Sequence, residues 1–305
     1  MHYADLPAGG EERMTVDALP RVAVCVPAYG DTAGVRTLLD SLAAVDYPRD
    51  LLHVVVAVDG PDARLEQAAA AGGATVLVLP DNRGSYAARN LALDAVGDAD
   101  VVLFTDTDCA VSPQWVRAHL RALERADMSG GGVRLSADDP PAPAEWVDRA
   151  RHLRQEHFVT RLHYAATCNL AVRRSVVDRL RFDESLRSGG DFEFGQRAAE
   201  AGLSIVYTPE AFITHPARAT PRSVLKKVWR VAGGARDMQR AGRAATARHD
   251  PSRLRAATLA RREGVRASRA WLVQVAALDY ACSVAYALRV PQVVLPALRR
   301  RVARR

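Results

Sequence analysis

Residues 101–109 read VVLFTDTDC: an apolar run of strand length, followed at once by two aspartates, Asp106 and Asp108, with one residue between them. Working outward, Val22–Val26, Val54–Val58 and Val76–Leu79 are further apolar runs of the same kind, each bounded by turn residues. Between these runs, Thr37, Leu38, Leu39 and Leu42, then Leu65 with the alanines after it, then Ala88, Leu91, Ala92 and Ala95 recur at helical spacing. The order βαβαβ predicts an α/β fold with a mostly parallel, Rossmann-like sheet flanked by helices. Ligands of such sheets bind outside the carboxyl ends of the strands. The residues to read are therefore Tyr29-Gly30-Asp31, Asp59-Gly60, Asp81-Asn82-Arg83-Gly84 and Asp106-Thr107-Asp108.

The chain has 305 residues, 49% of them hydrophobic, enough for a substantial core, which excludes disorder, collagen and coiled coil as global descriptions. Cys25, Cys109, Cys168 and Cys282 are far apart and show no CxxC or Cys/His spacing, so the sequence predicts neither a disulfide scaffold nor a structural zinc. A reducing cytoplasm fits this usage. Residues 1–20 contain no apolar run flanked by basic residues and are read as a flexible N-terminus without a secretory signal. Charge is unevenly distributed: residues 216–305 carry 21 Lys and Arg against 4 Asp and Glu, whereas the first 215 carry 21 against 31. A basic tail on an acidic body points to an anionic partner, or else to a solvated arginine-rich face.

The Gly-, Asp- and Pro-rich stretch Ser129–Glu145 is read as a long loop leaving the first half. Further on, Gly189-Gly190 precedes the helical stretch DFEFGQRAAEAG, with Gly202 closing it, and Ile205–Tyr207 reads as a strand. Beyond Pro221 the pattern is helical and basic. Trp271–Val290 is the most apolar helix-length stretch but contains Asp279, and an aspartate near a bilayer centre costs about 2.5–3.5 kcal/mol. The expectation is a buried or surface-lying helix.

Two carboxylates at the mouth of a sheet suit a hard divalent cation, Mg²⁺ or Mn²⁺, that neutralises a leaving diphosphate; the alternative for Asp106 and Asp108 is turn capping. Asp59 can accept hydrogen bonds from a base or a ribose hydroxyl, or can cap the helix near Arg64. Asn82-Arg83-Gly84, with Ser85 as N-cap, opens a helix carrying Arg89 and Asn90; a helix N-terminus beside guanidinium groups favours a diphosphate. Asp191 is the candidate general base, or a helix N-cap. His215 stands open as metal ligand, phosphate donor or satisfied core histidine.

The ordered set VAVCVPAYGD (22–31), VAVDG (56–60), NRGSYAARNLAL (82–93), FTDTDC (104–109), CNLAVRRSVVDRLRFDE (168–184) and GGDFEFGQRAAEAG (189–202) resembles glycosyltransferase family 2 over roughly residues 21–240. The resemblance implies a GT-A fold and inverting transfer of a sugar, hexosyl-type, from a nucleotide diphosphate donor, most often UDP, to a glycan, lipid-linked or small-molecule hydroxyl. By position, Asp59 corresponds to the acid that reads base and ribose, with Pro27, Ala28 and Tyr29 flanking the nucleotide. Asp106 and Asp108 correspond to the metal and diphosphate site, and Asp191 to the general base. Asp31 falls where the family often has Asn followed by an acid. His215 falls where some members have a histidine near the metal. The family's Glu-Asp pair is Gly190-Asp191 here, which removes a neighbour of the base.

The organisation so implied is a nucleotide-sugar half (21–128), an acceptor half of the same domain (129–220) and a basic helical region (221–305) that touches an anionic membrane surface from the cytoplasmic side, with no nucleic-acid partner. A dinucleotide oxidoreductase is excluded because PAYGDTAG, not GxGxxG, follows the first run. A nucleotidyltransferase lacks its glycine-rich basic loop at that place. The remaining alternative is a degenerate, transferase-like binding protein docking through its basic C-terminus.

Overall fold

The computed structural model describes residues 19–136, 141–152, 154–240 and 256–290. Strands β1 (Val22–Ala28), β2 (Leu52–Val58), β3 (Thr75–Val78) and β4 (Val101–Thr105) stand in the order β3-β2-β1-β4, all parallel. Both faces are covered. Val22, Val24 and Val26 point to one apolar cluster with Leu38 and Leu65, while Ala23 and Cys25 point to a second with Ala88 and Ala92. Alternate residues buried on opposite sides explain why these strands read as continuous apolar runs. Helices α1 (Thr32–Ala43), α2 (Ala63–Ala71) and α3 (Ser85–Leu93) make the crossovers, and α4 (Trp115–Leu123) follows β5 (Ala110–Val111).

Beyond β4 the strand directions become mixed. β7 (Asn169–Arg173) pairs antiparallel to β4, β6 (Met128–Ser136) antiparallel to β7, β8 (Ile205–Pro216) parallel to β6, and β5 antiparallel to β8. Four of the seven pairings are parallel, so the sheet is mixed. The expected loop Ser129–Glu145 is thereby corrected: its first part is strand β6, and Pro143–Arg151 is a helix, α5, with proline at its start. The glycines that looked like turn residues are there for close approach. A Cβ on Gly131 would lie 2.1 Å from the Ala211 carbonyl oxygen and 2.3 Å from Asn169 Nδ2, and one on Gly130 2.5 Å from Val159.

Asn169, fully buried, ties this half together. Its Oδ1 accepts from Trp115 Nε1 (2.8 Å) and His119 Nε2 (2.9 Å), and its Nδ2 donates to the Gly132 and Ala211 carbonyls (both 2.8 Å). All four of its hydrogen-bonding positions are used. The register shift between β6 and β8 falls at Gly131/Val133, beside these contacts.

Helices α6 (Gln155–Leu162), α7 (Arg174–Arg179) and α8 (Gly190–Glu200) complete the cover. The basic region forms α9 (Pro221–Arg240), α10 (Ala256–Arg262) and α11 (Arg269–Arg289), which with α5 share an apolar cluster of their own around Trp146, Val228, Val275 and Cys282. α11 is long and apolar enough to cross a membrane by length and composition, yet one side packs on α9 and α5. There Asp279, 1% exposed, is ion-paired with Arg151 and accepts the Ala256 N–H. Of the segments named above, residues 1–18, 137–140, 241–255 and 291–305 lie outside the described residues.

His119 in α4 gives a stability prediction. Its ring is fully buried between Asn169 and Ser129 Oγ (2.9 Å), and burial lowers its pKa from 6.5 to about 4 despite the Asn169 hydrogen bond. Between those values the unfolded chain binds a proton that the folded chain refuses, so this contribution is complete above pH 6.5 and is lost as the pH falls through that window. In urea unfolding at pH 7 and 4.5, the stability advantage of wild type over His119→Phe should shrink by roughly 2–3 kcal/mol at the lower pH. An advantage that does not change with pH would contradict it.

Candidate functional site

The carboxyl ends of β1, β2 and β4 open on one edge, and the residues singled out there behave differently from one another. Ala28 is buried and its carbonyl accepts the Asp59 N–H (2.8 Å), whereas Pro27 is half-buried and the Tyr29 ring is 68% exposed at the rim. Asp31 caps α1 by accepting the Gly34 N–H and receives a long 3.4 Å bond from Thr107 Oγ1.

Asp59 does not cap α2; Asp62 does that. The Asp59 carboxylate, 4% exposed, instead accepts the Arg83 N–H (2.7 Å) and the Gly84 N–H (3.0 and 2.9 Å to its two oxygens). This folds the Asn82–Gly84 turn over the end of β2. Gly84 takes φ +99 as the residue preceding α3, a conformation that favours glycine, and Ser85 is the first helical residue rather than the N-cap. Asn82 and Arg83 are exposed, with Arg83 paired to Glu184 at 2.6 Å and Asn82 Oδ1 accepting from Arg187 at 3.3 Å. Asn90 secures the same loop by exchanging hydrogen bonds with both Phe182 backbone groups.

Arg89 is not a surface arginine. It is 3% exposed, its guanidinium is ion-paired with Asp106 Oδ1, and its Nε finds no partner among the described residues. Asp106 is thus already engaged by a cation. Asp108 is more open, and its pKa is raised by burial, with Asp106 and Asp31 adding to the effect and His215 and Arg218 opposing it. His215, at the end of β8, uses Nδ1 on the Pro216 carbonyl (2.9 Å) and turns Nε2 toward Asp108 Oδ2 (3.4 Å). A ring held in this way, with the hydrogen assigned to Nδ1 by its carbonyl partner, presents the Nε2 lone pair to the site. It is buried at the end of β8 with one nitrogen on its own backbone and the other toward Asp108.

Asp191 lies in the first turn of α8, half-buried, with Oδ1 accepting the Phe192 N–H (2.9 Å). Burial raises its pKa, Phe192 and Arg89 oppose this, and Asp106 adds to it, so the strand-end aspartates, Arg89 and Asp191 share one electrostatic neighbourhood. Gly190 is dictated by Tyr86: the Gly190 N–H donates to the tyrosine hydroxyl (2.8 Å), and a Cβ there would lie 2.7 Å from the ring.

Several residues escaped the sequence reading. Asp148 in α5, fully buried, faces His152 (2.6 Å), Arg218 (3.3 Å) and Lys227 (3.6 Å). Burial raises its pKa, but these partners outweigh that effect and hold it below the usual carboxylate range; burial in turn lowers the Lys227 pKa to about 8. Arg218 also acts on Asp108. The absence of a Cys/His grouping is corrected by the fold, since Cys109 Sγ lies within 4.8 Å of ligand atoms on both Asp108 and His215. The only signal for it was the cysteine inside the quoted FTDTDC.

Residues 20–234 match the family described as Glycosyltransferase like family 2. Glycosyltransferase AglE of Haloferax volcanii is 29% identical over 224 residues, 71% of this chain and 73% of that protein. The pre-mycofactocin glycosyltransferase of Mycobacterium tuberculosis is 28% identical over 213 residues, 66% of this chain and 44% of that protein. Among solved structures, the mannosyltransferase PcManGT from Pyrobaculum calidifontis, in complex with GDP-Man and Mn²⁺, superposes with a TM-score of 0.56 at 19% identity, covering 94% of this chain and 76% of that one. S. aureus TarS 1–349 in complex with UDP-GlcNAc gives 0.52 at 20% identity, covering 70% and 66%. The mixed sheet with its helical cover is the fold of these neighbours. The chain belongs to the family described as Glycosyltransferase like family 2, and its fold is GT-A.

Proposed function

We propose that the protein is an inverting glycosyltransferase that moves a sugar, hexosyl-type, from a nucleotide diphosphate donor, a UDP-sugar in the first instance, to an acceptor hydroxyl. The observation that carries this reading is the pairing of the buried Arg89 with Asp106 at the carboxyl edge of the parallel strands, with Asp108 and Asp191 both within the electrostatic reach of Asp106. The family match and the nucleotide-sugar complexes of the structural neighbours support it.

Residue roles follow from chemistry. Asp59, with the turn it holds, would face the base and ribose between Tyr29 and Asn82. The exposed Arg83 is available for the diphosphate if it exchanges its Glu184 partner. Residues 21–128 would then bind the donor and 129–220 the acceptor. The donor set at the mouth fits a Mg²⁺ or Mn²⁺ ion: Asp108 offers carboxylate oxygens and His215 an unprotonated Nε2, with Asp106 beside them tempered by Arg89. When bound, such an ion neutralises charge on a departing diphosphate. The acceptor hydroxyl approaches C1 of the sugar from the face opposite the diphosphate, and Asp191 takes its proton as the new bond forms. The raised Asp191 pKa makes it a stronger base than an ordinary carboxylate.

A specific feature favours a membrane-facing location. Val273, Ala277, Tyr280, Val284 and Leu288 fall on one side of α11 and are exposed, Val273 and Leu288 by 67% and 70%. An apolar stripe on a strongly basic region matches the amphipathic pattern that lies in an anionic bilayer surface. The acceptor would then be lipid-linked, and the enzyme would work from the cytoplasmic side of the membrane.

Asp191→Asn should lower turnover by roughly 10²- to 10⁴-fold while UDP binding survives; a variant keeping most of its turnover would sink the assignment, as would wild-type protein that hydrolyses or transfers no nucleotide sugar at all. In calorimetry, Asp108→Ala should abolish the enhancement of UDP affinity by Mn²⁺, and unchanged affinity would contradict the metal role. For the membrane reading, Tyr280→Glu with Leu288→Glu should cut co-sedimentation with phosphatidylglycerol vesicles by about tenfold or more. Undiminished sedimentation would leave the stripe without that role.

A further inference from the structure

We propose that Asp108, Cys109 and His215 form a binding site for a zinc-class divalent cation, one softer than the Mg²⁺ or Mn²⁺ of the transfer reaction and competing with it. The inference rests on the reading above only in that Asp108 and His215 are shared with the hard-metal site; Cys109 is the new member.

The three residues bring a carboxylate, a thiol and an imidazole to one place. Cys109 Sγ lies 3.8 Å from Asp108 Oδ1, His215 Nε2 lies 3.4 Å from Asp108 Oδ2, and the ligand atoms of the three residues all fall within 4.8 Å of one another. Zinc bonds of about 2.0 Å to oxygen and nitrogen and about 2.3 Å to sulfur give tetrahedral edges of roughly 3.3–3.6 Å. The two Asp108 contacts, each to a different oxygen, are near these edges, and bringing Sγ and Nε2 onto one ion requires the side chains to close in from separations of up to 4.8 Å.

The surroundings match as well. His215 and Cys109 are 6% and 1% exposed, so two of the three ligands are held by packing before an ion arrives. The Nδ1 contact of His215 with the Pro216 carbonyl fixes the ring orientation from behind, as is usual for metal-binding histidines. A thiol contributes little to a hard, oxygen-seeking ion and a great deal to a borderline or soft one. Binding would release the thiol proton to solvent and leave one position open, the arrangement of three protein ligands plus water. Occupied in this way, the site would draw Asp108 toward Cys109 and deprive the transfer reaction of its cation.

The test uses the full chain and Cd²⁺ as a spectroscopic stand-in for zinc, read by the ultraviolet thiolate-to-metal charge-transfer absorption. Wild type should develop the band at one equivalent, and Cys109→Ser should lose it with roughly 100-fold weaker Cd²⁺ affinity. Its Mn²⁺-dependent UDP binding should stay within about threefold of wild type. His215→Asn should weaken the band's titration while Cys109 is intact, which guards against a folding defect in the serine variant. Absence of the band in wild type, or its persistence in Cys109→Ser through Cys168, would overturn the proposal. Failure of Mn²⁺-dependent UDP binding in wild type bears on the transferase reading alone, because the cadmium band is scored independently of it.

Discussion

The arrangement of the site depends on the burial of one guanidinium. Arg89 sits inside the fold, on the first helix after the Asn82–Gly84 turn, and a cation there without anions would cost several kcal/mol. Asp106 supplies the direct partner and Asp191 adds its charge from α8. The same pair therefore aligns the end of β4 with α3 and draws the first turn of α8 toward both. It also divides labour between the two strand-end aspartates: Asp106 is engaged by Arg89, and Asp108 remains open toward His215. Removing Asp106 would strand Arg89, confounding stability with function, which makes Asp108 the cleaner probe of metal binding.

The first half was legible because its strands are buried on both faces. Runs such as Val54–Val58 and the aspartates that end them announce a parallel sheet and its ligand edge without any tertiary information. The second half was not. In Met128–Ser136, three consecutive glycines imitate a loop, and only the approach of Val159 to Gly130 and of the Ala211 and Pro209 carbonyls to Gly131 and Gly132 explains why a strand excludes side chains there. Asn169 lay inside a quoted motif yet carried no readable role, since its four partners come from α4, β6 and β8. The neighbours of Cys109 were hidden for a related reason. Spacing along the chain could not show that β8 returns to deliver His215 beside it.

The basic C-terminal region is likewise more than a charged tail. α9, α10 and α11 close over α5, and Asp148 and Asp279 accept arginine, lysine and histidine at the seams of that layer. Asp148 of α5 faces His152, Arg218 and Lys227, and Asp279 of α11 pairs with Arg151. Arg218 is held by Asp148 and also acts on Asp108, which couples the helical layer electrostatically to the mouth of the sheet. The exposed stripe on α11 lies on the side of that helix turned away from these contacts.

The departure at Gly190 then has a structural rationale. Tyr86 occupies the volume that a side chain at position 190 would need, and its hydroxyl takes the Gly190 N–H at the start of α8. The phenol is held protonated by burial and by the nearby Asp191 charge. A neutral aromatic wall thus stands where the family's pattern has a second carboxylate. Two adjacent carboxylates would repel each other and raise one pKa at the expense of the other; here burial is the largest effect raising the Asp191 pKa, Asp106 adds to it, and Phe192 and Arg89 oppose it. The glycine at position 190 therefore leaves Asp191 without an adjacent carboxylate, in a setting shaped by burial, by Arg89 and by Asp106.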